Sequence, residues 1–150
     1  MRPPRSLDEI VDSATERITR FHPGEAFVAV CDGALLIDVR SDLDRARVGI
    51  VPGSLHIPRT VLEWRLAPDS PWRNPHVGGL DQPIILICDH GYSTVLAAAT
   101  LVDLGFTNVA DVIGGFAGWC RAALPVVAAP HALQAGELAG MRPPDPARTP

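Results

Sequence analysis

The sequence contains no lysine, so all 13 basic residues among its 150 are arginine. That excludes lysine Schiff-base catalysis and the Walker-type phosphate-binding lysine. Cysteine is nearly as scarce. Cys31, Cys88 and Cys120 are an odd number at wide spacings, which suits neither a disulfide framework nor a CxxC metal site. No spacing implies a metal or a cofactor, and a reduced, cytoplasmic protein is expected. A net charge of −4 leaves no global basic footprint, so neither nucleic acid nor a membrane surface is an expected partner. The start, Met1-Arg2-Pro3-Pro4-Arg5, leads into no apolar run of signal-peptide type, and no segment reaches the roughly 18 uninterrupted apolar residues of a membrane span.

What the chain does have is 47% hydrophobic and 20% charged residues, enough for one globular domain with a real core. Ser6 and Glu9 have the form of a capping box, with Leu7, Ile10, Val11, Ala14 and Ile18 at helical spacing behind them. Pro23 and Gly24 reset the chain, and 25–31 reads as a short second helix stopped at Asp32-Gly33. A buried strand follows over 34–40, then a charged and glycine-proline-rich loop over 41–53, a small strand over 54–57 and one or two helical turns over 61–66. The segment 67–81 reads as an extended loop. Residues 109–113 read as a strand, Gly114-Gly115 as a turn and 116–123 as a helix. Strands alternating with helices predict an α/β fold with a mostly parallel sheet covered on both faces.

The stretch Ile84-Ile85-Leu86-Ile87-Cys88-Asp89-His90-Gly91-Tyr92-Ser93-Thr94 carries the chemistry. An apolar strand ends in a cysteine, a glycine-containing loop follows, and 94–104 reads as a helix closed by Gly105. Cys88 therefore sits at the carboxyl end of a strand, the edge at which open α/β sheets bind ligands, with the positive end of a helix facing the loop. Such surroundings favour a thiolate. Cys31 and Cys120 fall within predicted helices and read as core or surface thiols.

The order of landmarks resembles the single-domain rhodanese, or sulfurtransferase, family. The matching motifs are Leu36-Ile37-Asp38-Val39-Arg40, Gly49-Ile50-Val51-Pro52-Gly53-Ser54-Leu55-His56-Ile57-Pro58, the Cys88 loop, Gly105-Phe106-Thr107-Asn108-Val109, Gly114-Gly115-Phe116-Ala117-Gly118-Trp119 and Leu124-Pro125. The resemblance implies a three-layer α/β domain with a sheet of about five strands. It also implies that Cys88 carries sulfane sulfur as a persulfide, taken from a donor such as thiosulfate or a persulfide and passed to a thiol, cyanide or protein acceptor. Backbone N–H groups from Asp89, His90, Gly91, Tyr92, Ser93 and Thr94 would converge on the sulfur, with Gly91 supplying the curvature. The domain is expected over 23–126, with an N-terminal helical extension before it and an alanine- and proline-rich tail after it, in which 131–138 could form a docked helix.

One departure bears on the donor. Asp89 and Ser93 stand where well-active members commonly carry arginine or lysine, so a thiosulfate dianion meets no loop cation. An inward Asp89 would repel it and raise the Cys88 pKa. Arg59 and Arg65, from the preceding segment, are the candidate cations, and a neutral or protein-bound persulfide is the expected donor. Asp38 and Arg40 read as residues that tie loops together at the end of a strand, and His56 as a satisfied, half-buried histidine. His90 is the loop histidine with a claim on chemistry. Trp64 and Trp72 read as packing residues or pocket walls, and Trp119 as packing. Two other functions compete. A cysteine phosphatase or arsenate reductase requires an arginine at the position held by Thr94. A non-catalytic binding or persulfide-sensing domain would keep the same fold and the same cysteine.

Overall fold

The computed structural model describes residues 1–129. In chain order the elements are α1 (Leu7–Glu16), β1 (Thr19–Phe21), α2 (Pro23–Cys31), β2 (Leu35–Asp38), α3 (Asp42–Val48), β3 (Leu55–His56), α4 (Leu62–Leu66) after a 3₁₀ turn at Arg59–Val61, β4 (Ile84–Ile87), α5 (Ser93–Asp103), β5 (Val109–Val112) and α6 (Gly115–Arg121). The five strands form one sheet in the order β1-β5-β4-β2-β3, and every pairing is parallel. The three-layer α/β arrangement is as expected. The tail helix considered over 131–138 lies outside the described residues.

Side-chain alternation along the strands sorts the core into two faces. Ile84 and Leu86 pack with Ala97, Ala98 and Leu101 of α5 and with Leu62 and Leu66 of α4. Ile85 and Ile87 point the other way, against Ala26 of α2 and Phe116 and Trp119 of α6. Trp119 is fully buried, edge-on to Phe27 with centroids 6.0 Å apart, and its Nε1 donates to the Pro125 carbonyl. The helix α1 lies outside α5, where Ala14 meets Val95 and Ala99.

Two elements differ from the sequence reading. The strand β1 was not expected; Ile18 precedes it rather than extending α1, and three residues carrying an arginine give no apolar alternation to read. Yet Thr19–Phe21 pairs along β5 and forms one edge of the sheet. The second is α3, within the segment expected to be loop. Its apolar residues Leu43 and Val48 are exposed, so no apolar stripe announces it. Charge and capping hold it instead. The Ser41 hydroxyl accepts from the Asp44 N–H at 3.1 Å, acids occupy the first turn, and Arg45 and Arg47 lie in the last. A smaller shift concerns α2, which begins at Pro23, where a missing N–H costs nothing.

Candidate functional site

Cys88 continues the Ile84–Leu86 face of β4 and is 6% exposed. Its surroundings follow from the orientation of the loop peptides. The Phe116 N–H donates to the Cys88 carbonyl at 2.7 Å and the Ala117 N–H to the Asp89 carbonyl at 3.0 Å. With both carbonyls turned toward α6, the N–H groups of the same two planar peptides face the opposite way. Gly91, at φ +82°, then turns the chain so that its N–H donates to the Cys88 sulfur at 3.2 Å. Burial opposes ionisation of the thiol. Donation from the Thr94 and Ser93 hydroxyls, and from the Thr94 and Gly91 N–H groups, outweighs it and holds Cys88 below its ordinary range. Of the six loop N–H groups expected to converge on the sulfur, those of Gly91 and Thr94 donate to it, and hydroxyls contribute as well as backbone.

Thr94 leads to a part of the site that the sequence reading missed. Its Oγ1 lies 3.4 Å from the sulfur and donates to Asp111 Oδ2 at 2.8 Å. Asp111 is fully buried, in the middle of β5, and Arg20 of β1 clamps it from the far side through Nε at 2.8 Å and Nη2 at 3.1 Å. The same Nη2 donates to the Gly91 carbonyl at 2.8 Å. Register explains the convergence: Arg20 pairs with Asp111 and Asp111 with Leu86, so all three share the face that Cys88 extends. Because a hydroxyl has one proton, Thr94 can give it to Asp111 or to a sulfur anion. Arg20 keeps the carboxylate paired in either case.

The remaining candidates fall into place around this core. Asp38 accepts from the Arg40 N–H at 3.0 Å, Arg40 Nε at 3.0 Å and Nη2 at 2.8 Å, and from Arg45 Nε at 3.3 Å. The Arg40 guanidinium lies 3.8 Å over the Phe116 ring, behind the residue whose N–H holds the Cys88 carbonyl. His56 is buried and donates from Nε2 to the Arg40 carbonyl at 2.8 Å, with burial the main influence lowering its pKa. These three residues brace the loop from behind. Asp89 interacts with Asp44, Arg40 and Asp38; burial and then Asp44 push its pKa up. The thiol beside it is lowered, not raised as an inward Asp89 would require.

Arg59 and Arg65 are not brought to the sulfur. Arg59 is paired with Glu63, and Arg65 is buried and donates to the Trp72 carbonyl. The arginines beside the loop are instead Arg20 and Arg121, which line a cleft of about 820 Å³ together with His90, Tyr92 and Ser93. His90 and Tyr92 are exposed, and neither hydrogen-bonds the sulfur. Trp64 and Trp72 border a separate shallow depression, while Cys31 and Cys120 are exposed. Among the described residues, no group of three or more histidine, cysteine or acidic side chains could hold a metal.

The model of the rhodanese-like domain matches residues 6–122. The chain belongs to the rhodanese-like domain family. This rhodanese-like chain is 36% identical over 104 residues to the thiosulfate sulfurtransferase GlpE of Haemophilus influenzae, covering 69% of this chain and 90% of that protein. The protein of the same description from Pseudomonas savastanoi pv. phaseolicola is 35% identical over 106 residues, covering 71% and 90%. Among solved structures, a protein of unknown function from Rhodopseudomonas palustris, described as a possible tyrosine phosphatase, superposes with a TM-score of 0.76 at 28% identity, covering 85% of this chain and 98% of that one. The polysulfide-sulfur transferase homodimer of Wolinella succinogenes shares the fold, with a TM-score of 0.68 at 23% identity over 84% and 90% of the two chains. No helix among the described residues of this rhodanese-like chain is long and apolar enough to cross a membrane.

The lowered thiol sets a pH dependence. A pKa below the ordinary thiol range places the rising limb of Cys88 alkylation at lower pH than burial alone would allow, and Thr94→Val removes the largest hydrogen bond opposing burial. The limb moves to higher pH in the variant. Iodoacetamide labelling across pH with peptide mapping checks this, with exposed Cys31 and Cys120 as references in the same chain. An unmoved limb would contradict the role of Thr94.

Proposed function

We propose that this protein is a sulfurtransferase that carries sulfane sulfur on Cys88. The observation that carries the reading is the sulfur itself, at the end of β4 with the Gly91 N–H at 3.2 Å and the Thr94 hydroxyl at 3.4 Å, in surroundings that favour its anion. The Cys88 thiolate attacks the outer sulfur of a donor; the donor's S–S bond breaks and its electron pair leaves with sulfite or with a thiolate. The resulting Cys88 persulfide offers its outer sulfur to an acceptor thiolate or cyanide, and the Cys88 thiolate is released. The relatives named as thiosulfate sulfurtransferases support this class of reaction. Thr94 supports it over phosphoryl chemistry: it stands where an oxyanion-clamping arginine is needed, and a buried carboxylate lies behind it.

Intact-mass spectrometry tests the reading. Exposure to thiosulfate, and separately to glutathione persulfide, should add one sulfur to the wild type and none to Cys88→Ser, and cyanide should remove it. No gain from either donor overturns the proposal. A single uptake that neither thiol nor cyanide discharges would favour a sensing domain instead.

A further inference from the structure

The cleft beside the loop is far larger than an inorganic sulfur donor requires. At about 820 Å³ it lies in the range of sites that enclose small organic molecules. Its walls are of two kinds. Leu7 and Val11 of α1 and Leu96 of α5 give an apolar lining, Arg20 and Arg121 a basic one, and no acidic side chain among the described residues lines it. In a chain of net charge −4 that is a local reversal of sign. Arg20 spends its Nε and Nη2 on Asp111 and the Gly91 carbonyl, and its Nη1 makes no hydrogen bond among the described residues. Arg121 is exposed and makes no hydrogen bond or ion pair among the described residues. The cleft reaches the chemistry through Ser93, which lines it and whose hydroxyl also stabilises the Cys88 thiolate.

We infer that this cleft binds the organic portion of a low-molecular-weight persulfide or thiol bearing a carboxylate, which Arg121 takes up with the free edge of Arg20, while the uncharged part lies on Leu7, Val11 and Leu96. Resting on the sulfurtransferase reading, the inference names the class of partner. The carboxylate end sits on the arginines, and the sulfur end is presented across Ser93 to Cys88. In the donor direction the Cys88 thiolate attacks the outer sulfur, and the organic thiolate leaves while still held in the cleft. In the acceptor direction the organic thiolate attacks the outer sulfur of the Cys88 persulfide and leaves as the persulfide. The cation missing from the loop is supplied, in this arrangement, by β1 and α6.

Two measurements test it. Calorimetric titration of Cys88→Ser with S-methylglutathione, which cannot transfer sulfur, should show saturable binding. Adding Arg121→Gln should weaken it about tenfold, the effect of one charge-assisted hydrogen bond. Adding Leu7→Asp instead, an acid in the first turn of α1 that the helix tolerates, should also weaken it. Sulfur uptake by the otherwise wild-type chain should then show Arg121→Gln lowering kcat/KM for glutathione persulfide about tenfold more than for the uncharged persulfide of N-acetylcysteamine. Absence of binding overturns the inference whatever the transfer data show, and so does an equal loss with both donors. Binding without transfer leaves the cleft assignment standing and overturns the sulfurtransferase reading instead.

Discussion

Gly115→Ala is expected to lose about a hundredfold in the rate of sulfur uptake by Cys88, although the substituted residue never touches a substrate. The cause is local and steric. Gly115 has φ +59°, and a Cβ built there would stand 2.5 Å from the Cys88 carbonyl oxygen, 2.7 Å from the Asp89 carbonyl carbon and 2.7 Å from the Gly91 nitrogen. All three are backbone atoms of the cradle, so no side chain can swing aside and the loop itself has to move. A shift there disturbs the Phe116 and Ala117 N–H bonds that orient the loop peptides, and with them the Gly91 N–H on the sulfur. Left-handed strain and overpacking together should cost about 2–5 kcal/mol, read by urea unfolding. Gly33→Ala is the control. Its φ of +106° is also unfavourable for alanine, but nothing lies within 4 Å of the added Cβ. That variant should lose some stability and keep its sulfur uptake. Equal activity in the two variants would show that the packing of α6 on the loop does not set the geometry of the thiol.

The second large effect concerns the pair beneath the sulfur. Arg20→Leu leaves the Asp111 carboxylate fully buried with the Thr94 hydroxyl as its remaining donor, and leaves the Gly91 carbonyl without its own. Removing one partner of a buried ion pair typically costs about 3–5 kcal/mol, because the other charge remains out of water. Combining Arg20→Leu with Asp111→Leu removes that charge and should recover most of the loss, as apolar replacement of a whole buried pair often does. Stability and chemistry should separate in the double variant. Its fold returns and the Thr94 hydroxyl is left free to donate to the sulfur, but Gly91 is no longer clamped by Arg20, so sulfur uptake stays depressed. A loss below about 1 kcal/mol for Arg20→Leu would place the pair among surface ion pairs of little weight.

The parts of the site that are contiguous in sequence were legible there. An aliphatic run ending in Cys88, then Gly91, then a helical pattern closed by Gly105, defines strand, turn and helix by local rules alone, and the structure places them accordingly. Arg20 and Asp111 obey no local rule. They are 91 residues apart, and only the parallel register of β1 on β5 makes them neighbours. One signal was available. A lone carboxylate among Val109, Ala110, Val112 and Ile113 is too costly to bury without a partner, which predicts a partner without naming it. Arg59 and Arg65 illustrate the converse. Nearness along the chain made them candidates, but Glu63 and the Trp72 carbonyl claim their guanidinium groups. The helix α3 escaped notice because capping and charge hold it rather than an apolar stripe.

The order in which the sheet is assembled has a consequence for biosynthesis. Cys88 is made before Asp111, Phe116 and Ala117, the residues that sit beneath it and turn its peptides, and Arg20 stays without its partner until β5 has been made. A chain that ends before α6 therefore lacks the two N–H groups that turn the loop peptides, so the orientation of the thiol's cradle depends on residues synthesised after the thiol itself.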